Sequence, residues 1–134
     1  MYDVIIVGAG MAGLTAGIYA ARGKMKVLIL EKNVYGGQII NSPHVENYPG
    51  YSDISGVSLA KEFYDQALSL GCEISYETVK SIESHVVKTD KNTYQTKTII
   101  LATGLQRRKL GIPKEESYIG RGLSYCATCD GRFF

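Results

Sequence analysis

Short apolar runs alternate with glycine-rich and helix-forming segments over the first 31 residues. Residues 2–7, YDVIIV, are the β-branched run typical of a strand buried on both faces. A glycine-rich turn follows, and then LTAGIYAARG, whose composition predicts a helix that stops at Gly23. Residues 26–31, KVLILE, predict a second buried strand that ends on an acidic residue. This order predicts a compact βαβ unit with parallel strands and a right-handed crossover.

The pattern changes after the second strand. Residues 32–54 carry Gly, Pro and Asn at short intervals and predict a long loop, a kind of segment that is usually functional or disordered. Residues 55–71 have one apolar helical face, with Ser55 as the N-cap. CEISYETV predicts a further strand, and residues 79–101 predict a β-meander whose last strand rejoins the buried sheet.

Composition narrows the class of protein. A chain of 134 residues with a net charge of +2 and 45% hydrophobic residues has the size and composition of one globular domain and not of a disordered segment. No apolar run reaches the roughly 20 residues of a membrane helix, and the first segment carries Asp3 and no basic leader. We therefore expect a soluble, cytoplasmic protein. The basic excess lies after residue 106, which suggests a boundary shortly after residue 104.

Residues 8–13, GAGMAG, have the GxGxxG spacing of a dinucleotide-binding turn, and they lie between a predicted strand and a predicted helix. In such a turn Gly8 permits the tight bend, Gly10 lets a pyrophosphate approach the backbone, and Gly13 lets helix and strand pack closely. The helix N-terminus favours the phosphates. Glu31, at the end of the next strand, can accept hydrogen bonds from ribose hydroxyls and would repel a 2′-phosphate. The motif therefore predicts FAD or NAD rather than NADP; the alternative is a glycine-rich turn without a ligand.

Cys126 and Cys129 form a Cys-x-x-Cys motif followed by Asp130. In a cytosolic protein such a motif is more often redox-active or metal-binding than structural. A thiolate at a helix start is stabilised by the helix dipole, which favours Cys126 as the nucleophile, and Asp130 is placed to pass a proton to a departing thiolate. The alternatives are an inert reduced pair and a zinc site, for which the further ligands would be drawn from His44, His85 and Cys72.

Three other segments are ambiguous when taken alone. Gly36 and Gly37 permit close approach to a flat ligand, and the amide of Gln38 both donates and accepts hydrogen bonds, but the same residues suit an ordinary turn. Residues 45–50, VENYPG, are equally open to both interpretations. The basic run at 107–109 is interpreted as a solvated segment, because no basic stripe or aromatic platform indicates nucleic-acid binding.

Taken in order, six segments make the chain resemble the low-molecular-weight thioredoxin reductases of the pyridine-nucleotide disulfide oxidoreductases. They are VIIVGAGMAGLTAGIYAAR, GGQ, ENYPG, IILATG, RKLGIP and GRGLSYCATCDGRFF, and together they cover essentially the whole chain. CATCD preceded by GRGLSY is the most specific, whereas the others are shared with FAD enzymes generally. The resemblance implies an α/β fold: a Rossmann-like FAD-binding domain with three layers (helices, a parallel sheet and a β-meander) over residues 1–112. Residues 113–134 would be a linker and the start of the nicotinamide and redox-dithiol domain.

The resemblance also implies a role for each matching residue. Those assigned to FAD are Gly8, Gly10 and Gly13 (pyrophosphate) with Thr15 behind them, Glu31 (adenosine ribose), Gly36, Gly37 and Gln38 (flavin side), Asn47 (near the isoalloxazine), and Ala102, Thr103 and Gly104 (a second contact where the chain leaves the sheet).

In the family, electrons pass from NADPH to FAD, then to the dithiol pair, and then to thioredoxin. By resemblance, Cys129 would face the flavin, Cys126 would attack the thioredoxin disulfide, and Asp130 would act as acid and base. We expect thioredoxin or a similar disulfide protein as the partner, self-association such as a homodimer, and no metal, nucleic acid or membrane. The alternatives are a non-catalytic FAD- or nucleotide-binding half-domain and a small dithiol redox protein.

Family members continue well beyond CATCD, with the rest of a nicotinamide-binding domain and a return segment that completes the FAD domain. We therefore expect this chain to be the N-terminal portion only, with its FAD domain incomplete at the C-terminal side. On that expectation, the chain alone binds FAD weakly or not at all, or covers an exposed sheet edge by self-association. It would also fail to turn over NADPH. The sequence leaves another electron donor, such as ferredoxin, open.

Overall fold

The computed structural model describes residues 1–127 and residue 131. Their elements are, in chain order, β1 (Tyr2–Val7), α1 (Met11–Arg22), β2 (Val27–Glu31), a 3₁₀ helix (Gly37–Asn41), α2 (Gly56–Ser69), β3 (Glu73–Tyr76), β4 (Val79–Glu83), β5 (Val86–Thr89), β6 (Thr93–Leu101) and α3 (Glu115–Tyr118). The strand order is β3-β2-β1-β6-β5-β4. The predictions for Cys129 and Asp130 lie outside the described residues.

The centre of the fold is a parallel sheet in which β1 lies between β2 and β6, and β2 pairs with β3. The predicted βαβ unit is confirmed. Ile5, Ile6 and Ile29 have no solvent exposure. Because layers cover both faces of these strands, successive positions are apolar instead of alternating with polar residues.

One face of the parallel sheet is covered by α1 and α2. The side chains buried there come from both strands and both helices and include Val4, Ile6, Leu14, Ile18, Val27, Ile29 and Ala67. The predicted cap of α2 is confirmed, since the Oγ of Ser55 accepts a hydrogen bond from the backbone N–H of Ser58 at 3.1 Å. A capped, amphipathic helix of this kind gains most of its stability from packing on the sheet.

The opposite face is covered by the β-meander. Its strands β4, β5 and β6 are antiparallel, and their apolar side chains pack on Ile5, Leu28 and Leu30 through the fully buried Val87. The long strand β6 joins the two layers, because its first half pairs with β5 and its second half pairs with β1. The three-layer Rossmann-like arrangement is therefore confirmed.

Residues 32–54, predicted as a loop, are only partly irregular. They contain the 3₁₀ helix, and an antiparallel bridge joins Val45 to Ile54, with N–O distances of 2.8 and 3.2 Å. The ring of Tyr48, within this closed segment, packs edge-on against Phe63 of α2, with 5.9 Å between ring centroids. Residues 45–54 are thus closed by the bridge at their ends and packed against α2 through Tyr48.

The chain divides into two compact units, Met1–Gly104 and Leu105–Phe134. In the second unit, the buried carboxylate of Glu115 accepts hydrogen bonds from the N–H groups of Leu110 and Gly111 at 3.1 and 2.7 Å and from the hydroxyl of Tyr125. The functional division predicted after residue 112 stays a prediction. Among the described residues, no helix is both long enough and apolar enough to cross a membrane.

Candidate functional site

The glycine-rich turn between β1 and α1 is built from three glycines with different surroundings. Gly8 has a φ of +107°, and a Cβ there would lie 2.3 Å from the carbonyl oxygen of Ala102. A Cβ on Gly13 would lie 1.8 Å from the carbonyl oxygen of Gly8. A Cβ on Gly10, by contrast, would meet no atom closer than 4.0 Å. The first and third glycines therefore serve backbone packing, and the second leaves open space beside the turn.

That open space lies at the N-terminus of α1. Gly10 is the N-cap and has no side chain to bond the first-turn N–H groups, and the first turn carries no acidic residue. Such N–H groups lack partners within an α-helix, and the helix dipole adds a partial positive charge to them. The turn therefore has the geometry and charge that suit a pyrophosphate. This fit rests on this chain's own backbone.

The second glycine pair lies against the same turn. The N–H of Gly36 donates to the carbonyl of Ala9 at 2.7 Å, and Gly10 and Gly36 form a parallel bridge. Gly37 has a φ of +67°, and a Cβ there would lie 3.3 Å from the Cα of Gly10. Gln38 follows in the 3₁₀ helix and is exposed. The structure thus brings together two glycine motifs that are about 25 residues apart in the sequence.

Glu31, at the end of β2, holds the glycine turn in place. Its Oε2 accepts the N–H of Ala9 at 2.8 Å, and its Oε1 accepts the N–H of Asn33 at 2.9 Å. An ionised carboxylate has about four acceptor positions, so these two bonds leave capacity for further donors. Glu31 is therefore suited to accept hydrogen bonds from ribose hydroxyls while it orients the turn.

A cleft of about 170 Å³ opens at the carboxyl ends of the parallel strands. Such ends are where open α/β sheets bind their ligands. Three of the predicted site residues line it: Gly8, Glu31 and Thr103. Thr103 is brought there because the backbone of β6 continues its ladder with β1, the N–H of Ala102 donating to the carbonyl of Val7 at 2.9 Å.

The sequence interpretation missed another wall of this cleft, which Glu77, Thr78 and Val79 form. A signal for it was present, because Glu77 follows β3 just as Glu31 ends β2, and parallel neighbouring strands end at the same edge of a sheet. Glu77 is only 5% exposed. Burial raises its pKa, but hydrogen bonds from Thr89, Tyr94, Ser75 and Asn92 outweigh that effect and lower the pKa to about 2.

The remaining residues predicted for FAD lie outside the cleft lining. The hydroxyl of Thr15 donates to the carbonyl of Met11 at 2.7 Å, one turn back in α1. Asn47 is exposed, in the segment that the bridge between Val45 and Ile54 closes. Gly104 has a φ of +65° and ends the first unit. Their roles toward a cofactor stay predictions.

The described part of the dithiol motif is Cys126. It is half-buried and disulfide-bonded, and its N–H donates to the Oγ of Ser124 at 3.0 Å. The roles of Cys129 and Asp130 stay predictions. Cys72 is a free thiol, 4% exposed, and its burial raises its pKa. Among the described residues, no three His, Cys, Asp or Glu side chains are grouped in a way that could hold a metal ion.

Comparisons with known proteins agree with this architecture. The sequence profile of the family described as "Pyridine nucleotide-disulphide oxidoreductase" matches residues 2–133. A thioredoxin reductase of Bacillus subtilis is 42% identical over an alignment of 138 positions, which covers 100% of this chain and 44% of that protein. The crystal structure of Lactococcus lactis thioredoxin reductase is 48% identical with a TM-score of 0.83, over 100% of this chain and 46% of that one.

The thioredoxin reductase of Streptococcus pyogenes gives a similar result, with 45% identity and a TM-score of 0.86 over 100% of this chain and 45% of that one. The chain thus spans less than half the length of the relatives that it matches. The family profile covers both the first strand and the dithiol motif. The chain belongs to the pyridine nucleotide-disulphide oxidoreductase family.

Proposed function

We propose that this chain supplies the FAD-binding and dithiol parts of a flavin-dependent disulfide reductase of the thioredoxin reductase type. The observation that carries the proposal is the convergence of two glycine motifs and the end of β6 at the N-terminus of α1, beside a cleft that Glu31 lines. These features come from three separated stretches of the chain. A glycine-rich turn without a ligand would require only the first of them.

Each group at this site has a distinct part in holding FAD. The N–H groups at the start of α1, with open space beside Gly10, would bind the pyrophosphate. Glu31 would bind the adenosine ribose, and its charge would disfavour a 2′-phosphate. Gly36 and Gly37 would admit the flavin side of the cofactor close to the backbone, as the resemblance implies.

The dithiol carries out the exchange with the protein substrate. A bound flavin supplies two-electron redox chemistry between a hydride donor, NADPH by resemblance, and the disulfide of the chain. The Cys126 thiolate would attack one sulfur of the substrate disulfide and release the other as a thiolate, to which Asp130 delivers a proton. The Cys129 thiolate then attacks Cys126, so that the substrate leaves with two thiols and the chain keeps one disulfide. Two electrons pass to the substrate.

Thioredoxin is the substrate that we propose, in keeping with the names of the relatives. We also propose a cytoplasmic location, where a dithiol of this kind is kept in a reducing environment. Self-association is proposed as well, since an edge strand such as β3 presents unpaired backbone groups that a second copy would cover.

The FAD site is tested by titrating the 134-residue chain with FAD and following the change in flavin fluorescence. We expect saturable binding with a dissociation constant of about 1 to 100 μM. Gly10→Ala places a methyl group where the pyrophosphate approaches, at a backbone conformation that alanine adopts freely (φ −72°). It should weaken FAD binding about tenfold or more, because hydrogen bonds to a charged group are lost.

The matched control is Gly23→Ala, the same change at the other end of α1, where φ is −74°. We expect it to leave FAD binding unchanged. The proposed site is wrong if Gly10→Ala binds FAD as tightly as Gly23→Ala, or if the wild-type chain binds neither FAD nor ADP-ribose, which lacks the flavin and does not need the flavin-side contacts.

A further inference from the structure

Glu77 occupies an unusual position on the wall of the cleft. It follows β3, its backbone N–H donates to the carbonyl of Glu31 at 2.9 Å, and its side chain is directed into a set of polar groups from β3 and the meander. The donors to its carboxylate are the Oγ of Ser75 (2.7 Å), the hydroxyl of Tyr94 (2.6 Å) and the Nδ2 of Asn92 (3.0 Å) on Oε1, and the Oγ1 of Thr89 (2.5 Å) on Oε2.

These four donors distinguish Glu77 from the other carboxylate of the cleft. Glu77 is only 5% exposed and its carboxylate accepts four hydrogen bonds, three on Oε1 and one on Oε2, whereas Glu31 accepts only two backbone N–H groups from the described chain. A ligand in the cleft would therefore find acceptors on Glu31 and not on Glu77. The role of Glu77 is therefore to connect the polar groups that surround its side chain.

Glu77 connects the end of β3 to the turn between β5 and β6. Two hydrogen bonds reinforce the same junction: the N–H of Thr78 donates to the side-chain Oδ1 of Asp90 at 2.8 Å, and the N–H of Asp90 donates to the carbonyl of Thr78 at 3.0 Å. The Nζ of Lys91 also donates to the carbonyl of Tyr76, at 2.7 Å. Residues 76–78 are thus bound to the turn on both sides of Glu77, directly before Val79 of the cleft wall.

We propose that Glu77 is a positioning residue that fixes Thr78 and Val79 as a wall of the cleft and thereby sets the affinity for the adenosine half of a dinucleotide. The inference rests on the proposed function, because it assumes that the cleft beside Glu31 receives that half. It adds a residue that acts without contacting the ligand. An apolar side chain could not replace it, because its four donors, three of them half-buried, would then lose their acceptor.

The test is calorimetric titration of the chain with ADP-ribose, which contains the adenosine half and the pyrophosphate but no flavin. Glu77→Ala should weaken binding about tenfold or more, because the wall loses its anchor. Glu77→Gln should retain most of the affinity, with a loss of about threefold or less. Its amide oxygen still accepts hydrogen bonds from Ser75, Asn92 and Tyr94, and the hydroxyl of Thr89 still donates to the carbonyl of Asn92, 3.1 Å away.

The control is Ile18→Ala, which removes a buried side chain of α1 on the opposite face of the sheet. It lowers stability without touching the cleft, so ADP-ribose binding should be unchanged under conditions where the variant is folded. Equal weakening by Ile18→Ala and Glu77→Ala would overturn the inference, since general loosening would then explain the loss. Wild-type affinity in Glu77→Ala would also overturn it, while leaving the dinucleotide site intact.

Two further outcomes are decisive. If Glu77→Ala does not fold, Tyr94→Phe takes its place: it removes one donor to the carboxylate and keeps the ring, and a loss of ADP-ribose affinity in it supports the inference, whereas unchanged affinity overturns it. If the wild-type chain binds neither FAD nor ADP-ribose, the proposed dinucleotide site is itself refuted, and this inference with it.

Discussion

Gly13→Ala should damage the fold far more than the same change at Gly10, although both residues belong to one glycine motif. A Cβ on Gly13 would lie 1.8 Å from the carbonyl oxygen of Gly8, which is backbone and cannot rotate away. Relief requires the start of α1 to move away from β1 by more than about 1 Å, since non-bonded carbon and oxygen atoms stay roughly 3 Å apart or more.

The magnitude follows from what such a movement disturbs. Leu14, the next residue of α1, is fully buried against the sheet, so a shifted helix start leaves both overpacked and poorly packed regions. Overpacking alone costs about 1–3 kcal/mol, and a clash against backbone lies at or above the upper end. We expect the free energy of unfolding to fall by about 3 kcal/mol or more, a large share of the roughly 5–15 kcal/mol of a typical domain. Gly10→Ala should change it by less than about 1 kcal/mol.

Urea unfolding followed by far-ultraviolet circular dichroism measures both values. With a slope of about 1.5 kcal/mol per molar urea, a loss of 3 kcal/mol moves the midpoint by about 2 M. The slope must stay the same in all three proteins for the comparison to hold. A Gly13→Ala midpoint that coincides with that of Gly10→Ala would refute the close packing of α1 on the glycine turn.

Two other predictions concern the carboxylate of Glu77 and the dithiol. The pKa of Glu77, about 2 in the folded chain against an ordinary value of 4.5, gives a stabilisation of about 3 kcal/mol that is complete above pH 4.5 and is lost as the pH falls towards 2. By pH 3 about 2 kcal/mol of it should be gone, so urea unfolding at pH 6 and pH 3 should show a smaller pH dependence for Glu77→Gln than for the wild type; equal dependence would contradict the assignment. The dithiol is tested with a thioredoxin that keeps one active-site cysteine, activated as an aromatic disulfide. The Cys129→Ser variant, which keeps Cys126, should form a stable mixed disulfide with it, and the Cys126→Ser variant should not. The reverse pattern, read by mass spectrometry, would exchange the roles of the two cysteines, and no adduct from either variant would favour a nucleotide-binding half-domain without catalysis.

Local pattern was sufficient to predict the elements that form the parallel sheet. β1, α1 and β2 have apolar runs and glycine stops that depend on neighbouring residues only, so their order and type followed from the sequence. The 3₁₀ helix at Gly37–Asn41 could not be predicted in this way. It depends on a distant contact, since a Cβ on Gly56 would lie 1.7 Å from the carbonyl oxygen of Ile39 and Gly56 also donates to the carbonyl of Ser42 at 2.9 Å.

The candidate site shows the same difference between local and long-range signals. The roles of Gly8, Gly10 and Gly13 could be predicted because their spacing within six residues is itself the motif, and the structure gives each of the three a different environment. The position of Glu77 at the carboxyl end of β3 can be predicted from the sequence, but its acceptor role cannot, because that role depends on donors up to 17 residues away, from two strands and the turn between them. In the sequence it is one acidic residue among polar neighbours, which resembles an exposed position; only the folding of the meander onto the sheet buries it.

The position of β1 between β2 and β6 has a consequence for the order in which the domain is built. β1 meets β2 after one helix, but its other edge pairs with β6, through contacts such as Tyr2 with Thr96, 94 residues away in the chain. During synthesis, the open edge of β1 therefore waits until nearly 100 residues have left the ribosome. Gly8 likewise lacks its contact with Ala102 until then. The ligand cleft is completed only when Thr103 has emerged, and a nascent chain stalled before residue 102 presents the apolar edge of β1 to chaperones and to other chains.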